Sequence, residues 1–245
     1  MKIVVLAGGI STERQVSLVS GTEICKALRS RGHQAIFVDL FLGLSDFDHA
    51  FEAPDGFCGS VSIGRDAPSL DTVRAMRGGD PDCHVGPGVL EVCKQADLVF
   101  LGLHGEDGED GKVQAMLDLF GIPYTGSGCL GSAMAMDKAI TKRIMQLNGI
   151  RTPDWKELTV CEEDIPAIAA STKLPCVVKT PNGGSSIGVM LPDTHEELED
   201  ALRAAIAFSP RVIIEQRIVG RELTVPVLDD AYLPAIEIIP PEGTY

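Results

Sequence analysis

The sequence predicts an α/β fold, with a doubly wound parallel sheet at the N-terminal end and a smaller α+β subdomain behind it. Three observations carry that expectation. Residues 2–7 form a continuous apolar run that breaks at Gly8-Gly9, gives way to a helical pattern and returns as Ala35-Ile36-Phe37-Val38-Asp39, a β-loop-α-β opening. A second apolar run at 98–103 has helical stretches on both sides, which continues the rhythm of a parallel sheet. From Thr152 the texture changes to short strands around one long helix, and a glycine-serine loop separates two of those strands.

Taken in order, the helix after Gly9 places Val16, Val19, Ile24, Ala27 and Leu28 near one face, and Gly32 ends it. Residues 42–88 are rich in Asp, Gly, Pro and Ser and read as an elaborated surface excursion with a short helix near 70–76. A short helix near 89–94 precedes the 98–103 strand; a helix over 113–120 and a short strand at Pro123-Tyr124 follow it. Two helical segments span 128–148, with Gly149 as the stop. Beyond them, Leu174-Pro175-Cys176-Val177-Val178 and Ile187-Gly188-Val189-Met190 read as strands. Thr194-His195-Glu196-Glu197 is a capping-box pattern that opens a helix running to about Phe208. Strands at 212–216, 223–227 and 233–239 complete the pattern, the last two as the beginning of a third lobe. Domain divisions are expected near Gly126 and Gly220.

Composition excludes several classes of function. Hydrophobic residues make up 44% and charged residues 23% of the 245, ordinary for a soluble globular protein. The net charge is −14 and no Lys/Arg cluster exceeds a pair, so neither a nucleic acid nor an anionic membrane is an expected partner. Any phosphate ligand must be held by a few placed lysines, metal ions and backbone N–H groups. Seven scattered cysteines, without CxxC pairs or a zinc pattern, argue for free thiols in a reducing, cytoplasmic compartment. Cys25 and Cys176 fall on apolar faces. No apolar run reaches the roughly 18 residues of a membrane helix.

The most informative stretch is Lys179-Thr180-Pro181-Asn182-Gly183-Gly184-Ser185-Ser186-Ile187-Gly188-Val189. Glycines let successive N–H groups point into one concavity that holds phosphate oxygens. A lysine at the strand end adds a point charge suited to a polyphosphate. No helix follows, which excludes a Walker loop and a Rossmann fingerprint. On its own, Asn-Gly-Gly-Ser is equally good chemistry for an ordinary hairpin turn.

Two further segments lie at strand ends, where open α/β sheets bind ligands. In Gly8-Gly9-Ile10-Ser11-Thr12-Glu13-Arg14, Glu13 is either a carboxylate favoured by the helix dipole or a partner for a cation such as an amino-acid ammonium. The loop His104-Gly105-Glu106-Asp107-Gly108-Glu109-Asp110-Gly111 lacks the alternate ligand spacing of an EF-hand. Glu109 and Asp110 are expected to cap the next helix. His104 is either a structural histidine or a substrate contact.

These segments, together with Tyr124-Thr125-Gly126-Ser127-Gly128 and Met136-Asp137-Lys138, occur in an order and at a spacing that resembles the D-alanine–D-alanine ligase family. The likeness rests on Gly-Gly-x-Ser-x-Glu-Arg-x-Val-Ser from Gly8, His-Gly-x-x-Gly-Glu-Asp-Gly-x-Val-Gln-Ala from His104, and the Lys179 loop. It runs through the whole chain apart from 42–88. The resemblance implies an ATP-grasp architecture: a Rossmann-like substrate-binding (pre-ATP-grasp) domain over 1–126, a central ATP-grasp subdomain over 127–219, and the first strands of a C-terminal lobe over 220–245.

The resemblance also assigns roles. Glu13 would hold the ammonium of the first D-alanine, with Ser185 positioning it, and His104 would contact substrate. Lys138 and Lys179, which alone would read as solvated surface charges, would reach the ATP phosphates beneath a flap containing Ser185 and Ser186. Glu215, Gln216 and Ile218 would form the adenine-binding linker, with Glu215 taking the exocyclic amine and the Ile218 backbone a ring nitrogen. Glu222 would take the ribose hydroxyls. The implied activity joins two D-alanines through an acyl phosphate for peptidoglycan precursors. In it the first carboxylate attacks the γ-phosphate, and the second amine then displaces phosphate. The protein's part is positioning and charge neutralisation, with Mg2+ as the expected companion of ATP. Family members continue into a further lobe that carries the metal ligands. No metal ligand is therefore assigned here, and the chain is expected to be an inactive truncated form. A non-catalytic nucleotide- or amino-acid-binding module, a ligase making D-Ala-D-lactate or D-Ala-D-Ser, and a homodimer all stay open.

Overall fold

A computed structural model of the chain describes residues 1–52, 69–77, 80, 82–184 and 188–239. They divide into two compact units, Met1–Thr152 with Thr180–Gly188, and Pro153–Lys179 with Val189–Tyr245.

In the first unit, β1 (Lys2–Ala7), β2 (Gln34–Asp39) and β3 (Leu98–Leu101) form a parallel sheet in the order β2-β1-β3. Successive side chains alternate across the pleat. Ile3, Val5 and Ala35 therefore face α1 (Arg14–Ser30), which packs Ile24, Cys25 and Leu28 against them. The helix α2 (Leu70–Met76) buries Val73 with Ile10 and Phe41. On the opposite sheet face Val4, Leu6, Ile36, Val38 and Val99 join Val89 and Val92 of α3 (Val89–Cys93) and Val113 and Leu117 of α4 (Lys112–Leu119). With both faces covered, β1 is an unbroken buried run, which is why it reads as continuous rather than alternating.

The helix α1 buries a different stripe from the one its large apolar residues predict. Arg14, Ser17, Gly21, Thr22 and Cys25 are buried, while Val16 is 39% exposed. A Cβ on Gly21 would lie 2.5 Å from the Ala7 Cβ and 2.9 Å from the Phe37 ring. The helix thus approaches the sheet through its small residues, and the larger ones flank the contact.

The strand expected over 98–103 ends at Leu101, although the Gly102 N–H still donates to the Leu6 carbonyl at 2.8 Å. Tyr124 adds a parallel bridge to Val99. Of the two carboxylates expected to cap α4, Asp110 bonds the helix start, its Oδ1 accepting from the Lys112 N–H at 3.2 Å, and Glu109 lies instead near His104; the N-cap position itself is Gly111 at φ +90°. A Cβ there would sit 2.5 Å from the Cys129 carbonyl oxygen, so no carboxylate residue fits. After α5 (Cys129–Met136) and α6 (Lys138–Leu147), Gly149 turns the chain at φ +69°. Residues 127–152, expected with the central subdomain, lie in the first unit.

The second unit is an antiparallel sheet in the order β4-β6-β5, formed by β4 (Trp155–Thr159), β5 (Cys176–Lys179) and β6 (Arg211–Gln216). One face packs on α7 (Ile165–Ser171) and α8 (His195–Ile206) through Val178, Val212, Ile214, Ile165, Leu198 and Leu202. The capping box forms as the sequence implies: Thr194 Oγ1 accepts from the Glu197 N–H at 3.2 Å, and Glu197 Oε2 accepts from the Thr194 N–H at 3.3 Å. The helix α7 is not anticipated by periodicity; its seven residues are too few, and burial of Ile165 and Ala169 decides it.

Of the strand expected at 187–190, Ile187 lies outside the described residues and Met190 makes a single bridge to Val178. Further on, β7 (Glu222–Thr224) pairs with β10 (Ile236–Ile238), and β8 (Val227–Leu228) with β9 (Ala231–Tyr232). The strand expected over 223–227 breaks after Thr224, ahead of Pro226, and that expected over 233–239 forms only from Ile236, after Pro234, since proline has no N–H for a ladder; Asp229 and Asp230, at φ +47° and +63°, turn the hairpin between β8 and β9. Residues 220–239, expected as the start of a separate lobe, group with this second unit.

Candidate functional site

The carboxyl end of β1 in the first unit is organised by a buried ion pair. Arg14 Nη1 and Nη2 bond Asp39 Oδ1 and Oδ2 at 3.1 and 2.5 Å, the residues being 5% and 9% exposed. Arg14 Nη1 also donates to the Gly9 carbonyl at 2.6 Å, and Asp39 Oδ1 accepts from the Phe41 and Leu42 N–H groups at 2.9 and 3.0 Å. The turn has room for this because Gly8 and Gly9 take φ +73° and +79°, and a Cβ on Gly8 would lie 2.4 Å from Asp39 Oδ2. Ser17 Oγ accepts from the Gly8 N–H at 2.8 Å and donates to the Gly102 carbonyl at 2.7 Å, tying α1 to both strand ends.

Glu13 is the N-cap of α1, but its side chain makes no capping bond. Its N–H donates to Ser11 Oγ at 3.2 Å, and that hydroxyl donates to the His104 carbonyl at 2.8 Å. The carboxylate is directed towards two glycines: Glu13 Oε2 lies 2.8 Å from a Cβ built on Gly105 and 3.0 Å from one built on Gly184. Three segments singled out in the sequence therefore converge on one carboxylate. The His104 ring is held nearby, with Nε2 3.2 Å from Ser20 Oγ and Nδ1 3.7 Å from Glu109 Oε1. Ser185 and Ser186 lie outside the described residues.

Lys138 opens α6, whose N-cap Asp137 accepts from the Ala139 and Ile140 N–H groups at 2.9 and 3.0 Å. Its own N–H donates to the Pro181 carbonyl at 2.9 Å, and its ammonium donates to the Gly183 carbonyl. The glycine-serine loop is thus anchored on the first residue of this helix.

In the second unit, register pairs Glu215 with Trp155 and Val177, and Lys179 with Ile213. Alternation puts all of these on the sheet face opposite α7 and α8. There the Lys179 ammonium bonds Glu215 Oε1, with side chains 18% and 9% exposed. Gln216 ends β6 exposed, Ile218 is also exposed, and Glu222 opens β7 opposite Ile238. A cavity of about 360 Å³ opens at this end of the sheet, between Lys156, Thr172 and Cys176 on one side and Glu215 and Gln216 on the other; Lys179 is not in its wall.

The residues that sequence reasoning missed are Arg14, Asp39 and Ser11. A signal existed for the first: a cation at the positive end of a helix dipole requires a partner. Beside the site, Asp107 at φ +66° receives Lys112 at 3.2 Å and lies 2.6 Å from His84 Nδ1. Burial pushes the Asp110 carboxyl up, but the bonds from Lys112 outweigh it and leave its pKa below the ordinary value; burial opposes and the same bonds raise that of Lys112. Among the described residues no group of three or more His, Cys, Asp or Glu side chains is placed to hold a metal ion. None of their helices is long and apolar enough to cross a membrane.

Residues 2–127 match the family model described as D-ala D-ala ligase N-terminus, and residues 144–245 match D-ala D-ala ligase C-terminus. A D-alanine–D-alanine ligase of Pediococcus pentosaceus is 43% identical over the entire chain, which spans 70% of that protein. One from Lacticaseibacillus casei is 41% identical, with 69% of its length spanned. Among solved structures, the D-alanine–D-alanine ligase of Bacillus anthracis superposes with a TM-score of 0.68 at 32% identity, over 97% of this chain and 64% of that one. The same enzyme complexed with ATP gives a TM-score of 0.66 at 30% identity, over 97% and 66%.

Proposed function

The chain belongs to the D-alanine–D-alanine ligase family, and on that premise we propose that it binds D-alanine and ATP and serves the ATP-dependent joining of two D-alanines to D-alanyl-D-alanine. The observation that carries this reading is the Glu13 carboxylate lodged against Gly105 and Gly184 at the carboxyl end of a parallel sheet. Glycines at 105 and 184 let two loops approach this carboxylate, whose negative charge is the complement of an amino-acid ammonium.

In this reading Glu13 holds the ammonium of the first D-alanine, and His104 lines the same place. The substrate carboxylate is then free to attack the γ-phosphorus of ATP; an O–P bond forms, the bridging P–O bond breaks and ADP departs. The amine of the second D-alanine attacks the acyl carbon, loses its proton and expels phosphate. Lys138 and Lys179 serve the ATP phosphates, and Ser185 and Ser186, next to Gly184, close over them. Glu215, Gln216 and the Ile218 backbone serve the adenine, and Glu222 the ribose. Lys179 and Glu215 exchange their mutual bond for bonds to the nucleotide. Magnesium is the ion such a reaction uses, and the described residues bring together no group of three or more His, Cys, Asp or Glu side chains to hold it. Free thiols at Cys25, Cys83, Cys93, Cys129, Cys161 and Cys176 support a reducing, cytoplasmic setting.

The test is ADP release by the complete gene product with ATP and D-alanine, and mass spectrometry of the product. D-alanine-dependent release with formation of the dipeptide is expected. ADP release indifferent to D-alanine, together with a Glu13→Gln variant of unchanged D-alanine affinity, overturns the reading.

A further inference from the structure

We infer that the Arg14–Asp39 ion pair is a positioning device for Glu13, setting how tightly the site holds an amino-acid ammonium as well as how stably the turn folds. The inference rests on the proposed role of Glu13. Arg14 directly follows Glu13 and is the first residue of α1. An arginine is poorly placed at the positive end of a helix dipole, and no acidic residue in the first turn offsets it. It is nonetheless buried, with its guanidinium bonded bidentately to Asp39 and to the Gly9 carbonyl. Those bonds reach back into the β1–α1 turn and across to the end of β2, so they fix the first turn of the helix from two directions.

Two consequences reach Glu13. The first is steric. A Cβ built on Gly105 or Gly184 would lie 2.8 or 3.0 Å from Glu13 Oε2, so the carboxylate fits only where those positions carry no side chain, and a small shift of the helix start moves it out of register with a ligand. The second is electrostatic. The guanidinium of the next residue in sequence is bonded bidentately by the Asp39 carboxylate, which fixes where this positive charge stands relative to the helix start. Asp39 in turn is kept from other partners by the Phe41 and Leu42 N–H groups, which orient it towards Arg14.

The experiment compares the complete gene product with Glu13→Gln, Asp39→Asn and the double variant, reading D-alanine KM, ATP KM, kcat and Tm. Asp39→Asn retains an acceptor for the two N–H groups, removes the charge and sets an amide NH2 where Oδ2 accepted from Arg14 Nη2, so it breaks the bidentate pair. We expect it to raise the D-alanine KM about tenfold, the scale for a misplaced binding group, with ATP KM unchanged. In the Glu13→Gln background the same substitution should add little, because both act through one carboxylate. A lowered Tm with an unchanged D-alanine KM, or an effect that multiplies in full on Glu13→Gln, overturns the positioning role and leaves a purely structural pair. If Asp39→Asn does not fold, Arg14→Lys, which keeps the charge and loses the bidentate geometry, is read by the same criteria. An unchanged D-alanine KM in Glu13→Gln alone overturns the reading of Glu13 itself, whatever Asp39→Asn does.

Discussion

The Lys179 ammonium and the Glu215 carboxylate are each other's partners on the open face of the β4-β6-β5 sheet. They arise from different strands, and both are more than four-fifths buried at the side chain. Such a pair is held together by low local dielectric, and removing one member weakens the hold on the other. If the two exchange their bond for a nucleotide, Lys179→Ala should weaken ATP binding by about 2 kcal/mol, the scale of a charged hydrogen bond. Nucleotide titration reads this. An unchanged ATP affinity with a lowered Tm would make the pair structural only.

Gly184→Ala is a clean steric probe, because that glycine needs no left-handed backbone and its added Cβ would press on Glu13 Oε2 at 3.0 Å. D-alanine binding should weaken several-fold while the melting temperature stays within a degree or two. At Gly105, φ +75° adds backbone strain, so Gly105→Ala should lose on the order of 1 kcal/mol of stability as well. Calorimetric titration and thermal melts on both variants separate the two effects.

The cap of α8 predicts a purely local loss. Thr194→Ala removes the hydroxyl that accepts from Glu197 and should cost about 1 kcal/mol. Ligand affinities should not move. A loss near zero in denaturant melts would mean that Glu197 alone satisfies the helix start.

Asp110 and Lys112 predict a pH window. The Asp110 pKa is lowered in the fold, so its contribution is present above the unfolded carboxylate value of about 3.9 and fades as pH falls through the folded value. The Lys112 pKa is raised, so its contribution is present below about 10.4 and fades as pH rises through the folded value. The Tm difference between the parent and Asp110→Asn should therefore be steady from about pH 5 to 9 and shrink outside it. The gap should be small, since Lys112 is largely exposed. A gap that grows below pH 4 contradicts the assignment.

Cysteine reactivity should follow burial. Burial pushes the Cys93 thiol up to about 12, so almost no thiolate is available to a reagent at pH 8. Cys83 and Cys161 are exposed. Native alkylation mapped by mass spectrometry should label those two early and Cys93 only on unfolding.

Much of this protein was determined by short-range pattern. The run at 2–7, the helix starting from Thr194 and the stop at Gly149 depend on residues a few positions apart, and each formed where its local chemistry points. Family motifs likewise singled out Glu13, His104 and Lys179, because each lies within five residues of a glycine in its own segment. Tertiary structure alone decided which side chains meet. Arg14 finds Asp39 25 positions away, Lys179 finds Glu215 36 away, and Ser11 reaches the His104 carbonyl 93 away. It also decided that α1 turns its small residues rather than its valines to the sheet, since the distance between helix and strand is set by Ala7 and Phe37 on another element. Local propensity specifies elements; contact between elements depends on strand order and layer spacing, which no single segment encodes.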